Sequence, residues 1–319
     1  MKWVWLSACL FLTGVSAHAA DFPDRAVRII VPSSPGGISD VAARFVGQGL
    51  SALWKQPVVV ENRPGGGGSI GTTAVSRAPA DGYTLLATTN GEFALGPVIN
   101  KNIAYDPTHD FTPIGLLTFN PIVLVANTQT PYKSVQDVLD AAKKDPGHIG
   151  WASPGIGTWN HLAGEWFQNE AGIKLLHVPY RGGGPAGTAV AAGDVPLAVI
   201  SISSGQHLID AGKIRVLAAM TKDRVSFNPD WPTLADRGVK NVDATNWVGL
   251  FGPAGLDPAI TKKIAADAQI VLSDPELNQK LAKLGVVPAK PKPEELATQI
   301  VEDRKVSERI AKQADMFIK

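Results

Sequence analysis

Two short loops carry the residue types that could hold a small anion. Pro32-Ser33-Ser34-Pro35-Gly36-Gly37 leaves an apolar run and enters an amphipathic stretch that begins near Ile38. Ser153-Pro154-Gly155-Ile156-Gly157-Thr158 does the same after Trp151, with Thr158 or Gly157 as N-cap of the helix bearing His161. Glycine lets a backbone turn close to a ligand, and a helix start offers unpaired N–H groups at the positive end of a dipole. Each loop therefore suits a carboxylate. Singly, either is equally an ordinary strand-to-helix turn; as a pair facing one another across a cleft, they fit a ligand with two carboxylates or with one carboxylate and a polar end. Asp40 falls in the first turn of its helix, where the dipole favours a carboxylate with or without a ligand, so a structural role is expected of it.

Other chemistry finds little support. The sequence has no G-x-S-x-G elbow, H-E-x-x-H, P-loop or Cys-x-x-Cys. His109, His148, His161, His177 and His207 lack metal-ligand spacing and are expected to be structural. Gly66-Gly67-Gly68-Ser69-Ile70-Gly71 fits a dinucleotide fingerprint after a strand, yet no acidic residue follows at the required separation. It is expected to be a turn feeding a helix. Ser153 with His161 is the nearest approach to a nucleophile and its base, and no third member accompanies them. No catalysis, metal or cofactor is expected.

The elements that must position the loops alternate between strands and helices. Val27–Val31 reads as a strand, and Ile38, Val41, Ala42, Phe45, Val46, Leu50 and Leu53 follow at helical spacing. Strands at 58–60 and 83–87 flank a helix near 70–77. After an apolar run at 113–125 comes a fresh series: helices at 135–143, 159–170 and 185–192, and strands at 149–152, 175–179, 195–200 and 214–219. A strand at 248–251, a helix carrying Ile260, Ile264, Ala268 and Val271 on one face, and a charge-rich helix at 294–313 complete the chain. The pattern predicts an α/β protein of two similar lobes, 20–125 with 248–319 and an inserted 126–247, with a ligand cleft between them.

Composition agrees. In 319 residues, 45% hydrophobic against 18% charged excludes a disordered chain, and 30 Lys+Arg against 29 Asp+Glu lacks the basic excess of a nucleic-acid binder. Met1-Lys2, an apolar run from Trp3 to Val15 and Ser16-Ala17-His18-Ala19 read as a secretory signal peptide, residues 1–19, which is too short for a membrane span. Its removal takes away Lys2 and leaves acidic and basic residues equal in number. The single cysteine, Cys9, lies within it; Leu6-Ser7-Ala8-Cys9 resembles a lipobox, but the apolar run before it is too short. The mature protein is expected to be a periplasmic monomer without thiol or disulfide.

Ordered motifs along nearly the whole mature chain resemble one family. They include Arg28-Ile29-Ile30-Val31-Pro32 with Pro35-Gly36-Gly37 and Asp40, Val59-Val60-Glu61-Asn62-Arg63-Pro64-Gly65, Asp81-Gly82-Tyr83-Thr84-Leu85-Leu86, and Tyr105-Asp106-Pro107 with Asp110-Phe111. Further on come Ser153–Thr158 with His161-Leu162, Val178-Pro179-Tyr180-Arg181-Gly182-Gly183-Gly184-Pro185, and Ala211-Gly212-Lys213-Ile214-Arg215. By these the chain is similar to the periplasmic solute receptors of tripartite tricarboxylate transporters, the Bug or TctC-like proteins. The resemblance implies a type II-like Venus flytrap that captures a small organic carboxylate and delivers it to membrane transporter subunits. It implies ligand contacts from Ser33, Ser34, Gly36 and Gly37 in one lobe and from Ser153, Gly157 and Thr158 in the other, with Asn90 and His161 as further candidates.

Two departures from the family pattern bear on the ligand. Ser33 stands where a large aromatic is usual, which widens the pocket, and Trp159 could supply an aromatic wall or face the lobe core. A strand-end acidic or amide pair is replaced by Ser201-Ile202-Ser203-Ser204, so Ser201 and Ser203 offer neutral hydroxyls. Loss of a fixed anion favours a dicarboxylate, with space for an aromatic one, over an amino acid. A ligand sensor for a signalling partner would need the same closing cleft, and an exported hydrolase is the remaining alternative.

Overall fold

The computed structural model describes residues 22–318. The expected signal peptide and Cys9 lie outside the described residues. Val27–Val31 (β1) has four of its five residues buried, as befits a parallel strand covered on both faces. It pairs in parallel with Val58–Asn62 (β2) and Thr84–Thr89 (β3). Ile38–Trp54 (α1) joins β1 to β2, burying Ala42, Val46 and Leu50 at a spacing of four, and ends where Lys55 turns left-handed at φ 57°. The β2–β3 connection enters Ser69–Ser76 (α2) through Gly65–Gly68, whose φ values of 120°, 59°, 64° and 90° would strain any side-chain-bearing residue.

After β3 a π-helical turn, Gly91–Leu95, and the short Gly96–Ile99 (α3) lead to Phe111–Asn127 (β4), a strand of 17 residues. The chain then forms a second α/β series. It comprises Val135–Lys144 (α4), Gly150–Ser153 (β5), Trp159–Ala171 (α5), Leu176–Pro179 (β6), Gly183–Ala192 (α6), Leu197–Ser201 (β7), Ile202–Asp210 (α7) and Ile214–Ala219 (β8). Thr245–Pro253 (β9) returns to the first series, followed by Pro258–Leu272 (α8), Pro275–Lys283 (α9), Val287–Pro288 (β10) and Pro293–Gln313 (α10).

The strand order is β2-β1-β3-β9-β4-β7-β5-β6, with β8 and β10 also on β4. Residues Phe111–Pro121 of β4 pair with β9, whereas Ile122–Asn127 pair with β7 and β8. One strand thus carries the chain between half-sheets. The return runs through Ala244, whose N–H donates to Met220 O at 2.7 Å, into β9, which pairs with β3.

Glycines mark the closest approaches. A Cβ on Gly164 of α5 would lie 2.1 Å from the Trp151 ring of β5, and one on Gly115 of β4 would lie 2.6 Å from Pro291 Cα. Helix α10 packs against both halves. Leu296 and Ile300 join a cluster with Phe93, Trp247 and Phe251, while Ile310 and Ala311 join one with Leu162 and Phe167 of α5. Its 21 residues span roughly 30 Å at about 1.5 Å per residue, enough to bridge the two.

Helices α7 and α9 and strand β10 go beyond the elements legible in the sequence. Helix α7 opens Ile-Ser-Ser-Gly, a combination of weak helix formers. Gly205 belongs there because a Cβ would lie 2.7 Å from Ile200 Cδ1, so only glycine lets α7 settle on β7.

Candidate ligand-binding site

Helix N-termini from both halves meet at a cavity of about 370 Å³. Helix α1 contributes Gly37 to Ser39, α5 contributes Thr158 to Asn160, α6 begins at Gly182–Gly183, and α7 contributes Ser201 and Ser204. Among the described lining residues none is Lys, Arg or His. Any attraction of this wall for an anion therefore rests on helix dipoles and backbone N–H groups.

The loops at these termini are fixed by their own local chemistry. Gly37 N-caps α1 with extended backbone and no side-chain cap bond. The loop before it is braced by Asp40, whose Oδ2 accepts from Gly36 N at 3.0 Å and which pairs with Arg44 at 2.9 Å. Asn62 Nδ2 adds a bond to Ser33 O at 3.0 Å. Burial pushes the Asp40 carboxyl upward, but the bonds from Arg44 and Gly36 outweigh it and hold the group below the usual range. On α5, Thr158 is the N-cap: its Oγ1 accepts from His161 N at 3.2 Å and donates to Gly155 O at 2.8 Å. A Cβ on Gly183 would lie 2.2 Å from Ser204 Oγ, so glycine allows the starts of α6 and α7 to touch.

Asn160 is 3% exposed. Its Oδ1 accepts from Asn246 Nδ2 at 3.4 Å, while its own Nδ2 and Asn246 Oδ1 have no partner. A buried amide without a partner costs free energy, and Asn160 is a lining residue of the cavity.

The same cavity wall holds an acid. Glu92, half-buried in the π-helical turn, accepts at Oε2 from Thr89 N at 3.1 Å, from Thr89 Oγ1 and from Thr88 Oγ1 at 3.5 Å. Burial raises its pKa against the lowering effect of these bonds. Sequence reasoning missed both Glu92 and Asn160. The available signal was position: each follows a strand end by a few residues, as the expected site residues do.

The expected residues separate into three groups. Ser33, Gly37, Gly157, Thr158, Trp159 and Ser201 line the cavity. Ser34, Gly36 and Ser203 line an adjoining space of about 690 Å³ that also touches Arg181. Asn90, Ser153 and His161 line neither. Asn90 is fully buried, with Nδ2 donating to Thr245 O at 3.0 Å and Asp303 Oδ2 at 3.3 Å. Trp159, 2% exposed, belongs to the apolar cluster with Trp151 and Leu162. The neutral hydroxyls at Ser201 and Ser203 do not leave the site without a fixed acid, because Glu92 supplies one.

His161 stacks on His177 with ring centroids 4.1 Å apart, and His177 stacks on Trp151 at 4.4 Å. Burial, with the His177 charge adding to it, holds His161 down at about 3, and burial holds His177 at about 4. Both rings are neutral at ordinary pH. Ser153 Oγ meets His177 Nε2 at 2.7 Å rather than His161. Ser153 is fully buried, out of reach of a substrate. Among the described residues no cluster of three or more His, Cys, Asp or Glu is arranged for a metal, and no helix is long and apolar enough to cross a membrane.

Known proteins resemble this chain in sequence and fold. The profile of the tripartite tricarboxylate transporter family receptor matches residues 42–316. Protein BugT of Bordetella pertussis is 34% identical over 86% of this chain and 83% of its own. Among solved structures, Rpa4515 of R. palustris with adipate superposes with a TM-score of 0.84 at 30% identity, covering 92% of this chain and 98% of that one. MatC (Rpa3494) of Rhodopseudomonas palustris with bound malate gives 0.80 at 28%, covering 91% and 99%. The half-sheets are the two lobes of a periplasmic-binding-protein fold, and the chain belongs to the tripartite tricarboxylate transporter receptor family.

Proposed function

We propose that this protein is a periplasmic receptor that captures a small dicarboxylate in the cleft and presents it to the membrane subunits of a tripartite tricarboxylate-type transporter. One observation carries the reading: four helix N-termini converge on a cavity without a basic side chain, beside the buried, unpaired Nδ2 of Asn160. Such a wall attracts carboxylates through N–H groups and dipoles. The cavity volume of about 370 Å³ suits a small organic molecule. That relatives of the same fold hold adipate and malate supports the choice of ligand class.

Residues 20–125 with 248–319 form one lobe in this reading and 126–247 the other, with β4 and β9 as the strands that flex and α10 resting on both. The chain is exported by a cleaved signal at residues 1–19 and works as a monomer without a cofactor. Ser33 at the wall leaves space for a broader, aromatic dicarboxylate, and Trp159 borders the cavity while packing into the apolar cluster behind it.

Thermal unfolding of the mature protein against aliphatic and aromatic mono- and dicarboxylates, amino acids and amines tests the reading. Ligand at 100 times its dissociation constant stabilises by about 2.7 kcal/mol. Stabilisation confined to dicarboxylates is expected. Stabilisation by amines alone, or by nothing in the panel, refutes it.

A further inference from the structure

The cavity wall carries a single ionisable side chain among its described residues, and it is an acid. Glu92 is pinned in place: a Cβ on Gly68 would lie 2.5 Å from its Cγ, so the glycine loop lies directly on its stem. The three donors from Thr88 and Thr89 all go to Oε2, the Glu92 backbone N–H also faces the carboxyl, and no other residue among those described donates to Oε1. No lining residue offers a cation to balance it. A dianion closing into this cleft places a second carboxylate group beside Glu92, and two carboxylates sharing one site keep a proton between them.

Resting on the dicarboxylate reading, we propose that Glu92 is a specificity-determining residue that takes up one proton as the ligand enters and donates it, through Oε1, in a hydrogen bond to the nearer ligand carboxylate. The proton comes from solvent: Glu92 carboxylate, one proton and the dianion give the neutral acid bound to the dianion, and no other bond forms or breaks. Oε2 then serves as the carbonyl oxygen that its three donors already require. The other ligand carboxylate is left to Asn160 and the helix N-termini that line the same cavity.

The surrounding groups neither supply nor mask this proton. Tyr105 donates its hydroxyl to Glu92 backbone O at 2.6 Å. Asp303 on α10 is engaged by Asn90 and Trp247. The α2 and α3 segments carry no charged side chain, and His161 on α5 is held neutral. Burial raises the pKa of Glu92 before any ligand arrives.

Calorimetric titration with adipate and with malate, at pH 7.5 in phosphate and in Tris, counts the protons exchanged on binding. Net uptake of up to one proton is expected, with affinity falling as pH rises between 7 and 8.5, by at most about tenfold per unit. Glu92→Gln, which mimics the neutral acid, is expected to bind equally or more tightly at pH 8.5 with a flat pH profile. Binding without proton uptake overturns the proposal and leaves the receptor reading intact, as does a tenfold loss of dicarboxylate affinity in Glu92→Gln. Recognition of neither diacid, with tight binding of an amine that Glu92→Gln abolishes, overturns both.

Discussion

Asp303 offers a stability test whose sign follows from the structure. It is 8% exposed on α10 and accepts from Trp247 Nε1 at 2.6 Å, Gln299 Nε2 at 2.9 Å and Asn90 Nδ2 at 3.3 Å. It thereby ties the C-terminal helix to β9 and to the end of β3. Burial outweighs these bonds and pushes the carboxyl up from 3.8 to about 6. A folded-state pKa above the unfolded one means that the folded protein holds the proton more tightly. Between pH 4 and 6 the stability contribution of this group therefore falls as pH rises, and above pH 6 the full penalty is present. A shift of about two units corresponds to about 3 kcal/mol at roughly 1.4 kcal/mol per unit.

Asp303→Asn removes the titration while keeping an oxygen for Trp247 and Asn90. The measurement is urea unfolding of the parent and the variant at pH 4.5, 5.5, 6.5 and 7.5. The variant's stability relative to the parent is expected to climb by about 2 kcal/mol across this range and then level off. A flat difference refutes the role of burial. A difference that declines with pH shows that the three hydrogen bonds win and that the carboxylate is favoured in the fold.

Other expectations can be checked separately. Asn160→Leu keeps the volume of the side chain but removes the unpaired donor, and ligand affinity by calorimetry is expected to drop roughly ten- to hundredfold with little change in fold; unchanged affinity removes Asn160 from the site. Gly164→Ala drives a methyl to 2.1 Å from the Trp151 ring, so a loss of at least about 2 kcal/mol is expected in urea unfolding, and a loss below about 0.5 kcal/mol contradicts the packing of α5 on β5. His161 and His177 have folded pKa values of about 3 and 4, below the usual 6.5. Their contribution is complete above pH 6.5 and is lost as pH falls towards 4, by up to about 1.4 kcal/mol per unit for each group. His177→Gln should flatten that acid-side slope, and parallel slopes for variant and parent argue against the neutral stack.

Much of the fold was legible because its signals are local. The run Val27–Val31 is a strand with those bounds, and the spacing of Ala42, Val46 and Leu50 reports the face that α1 buries. Of the two N-caps the sequence offers for α5, Thr158 and Gly157, the cap is Thr158. What escaped depends on contacts between distant segments. Helix α7 forms despite its serines and glycine because Gly205 seats it on Ile200, and β10 exists only as a partner for β4. Within the site, loop chemistry pointed to the 32–37 and 153–158 loops and the family resemblance to Ser33, Gly37, Gly157 and Thr158 within them, but neither could foresee that Asn90 turns inward to Asp303 or that Ser153 is sealed against His177. Glu92 and Asn160 carry no motif, and only the meeting of the two halves brings them to one cavity.

The most direct test of the central claim is a crystal structure of the mature protein with the dicarboxylate that stabilises it most. The account predicts the diacid between the lobes, one carboxylate within hydrogen-bond distance of Asn160 Nδ2 and the N–H groups at the helix starts, and the other end at Glu92. A diacid seated instead in the adjoining space beside Ser34 and Arg181, with the cavity between Asn160 and Glu92 empty, would contradict it.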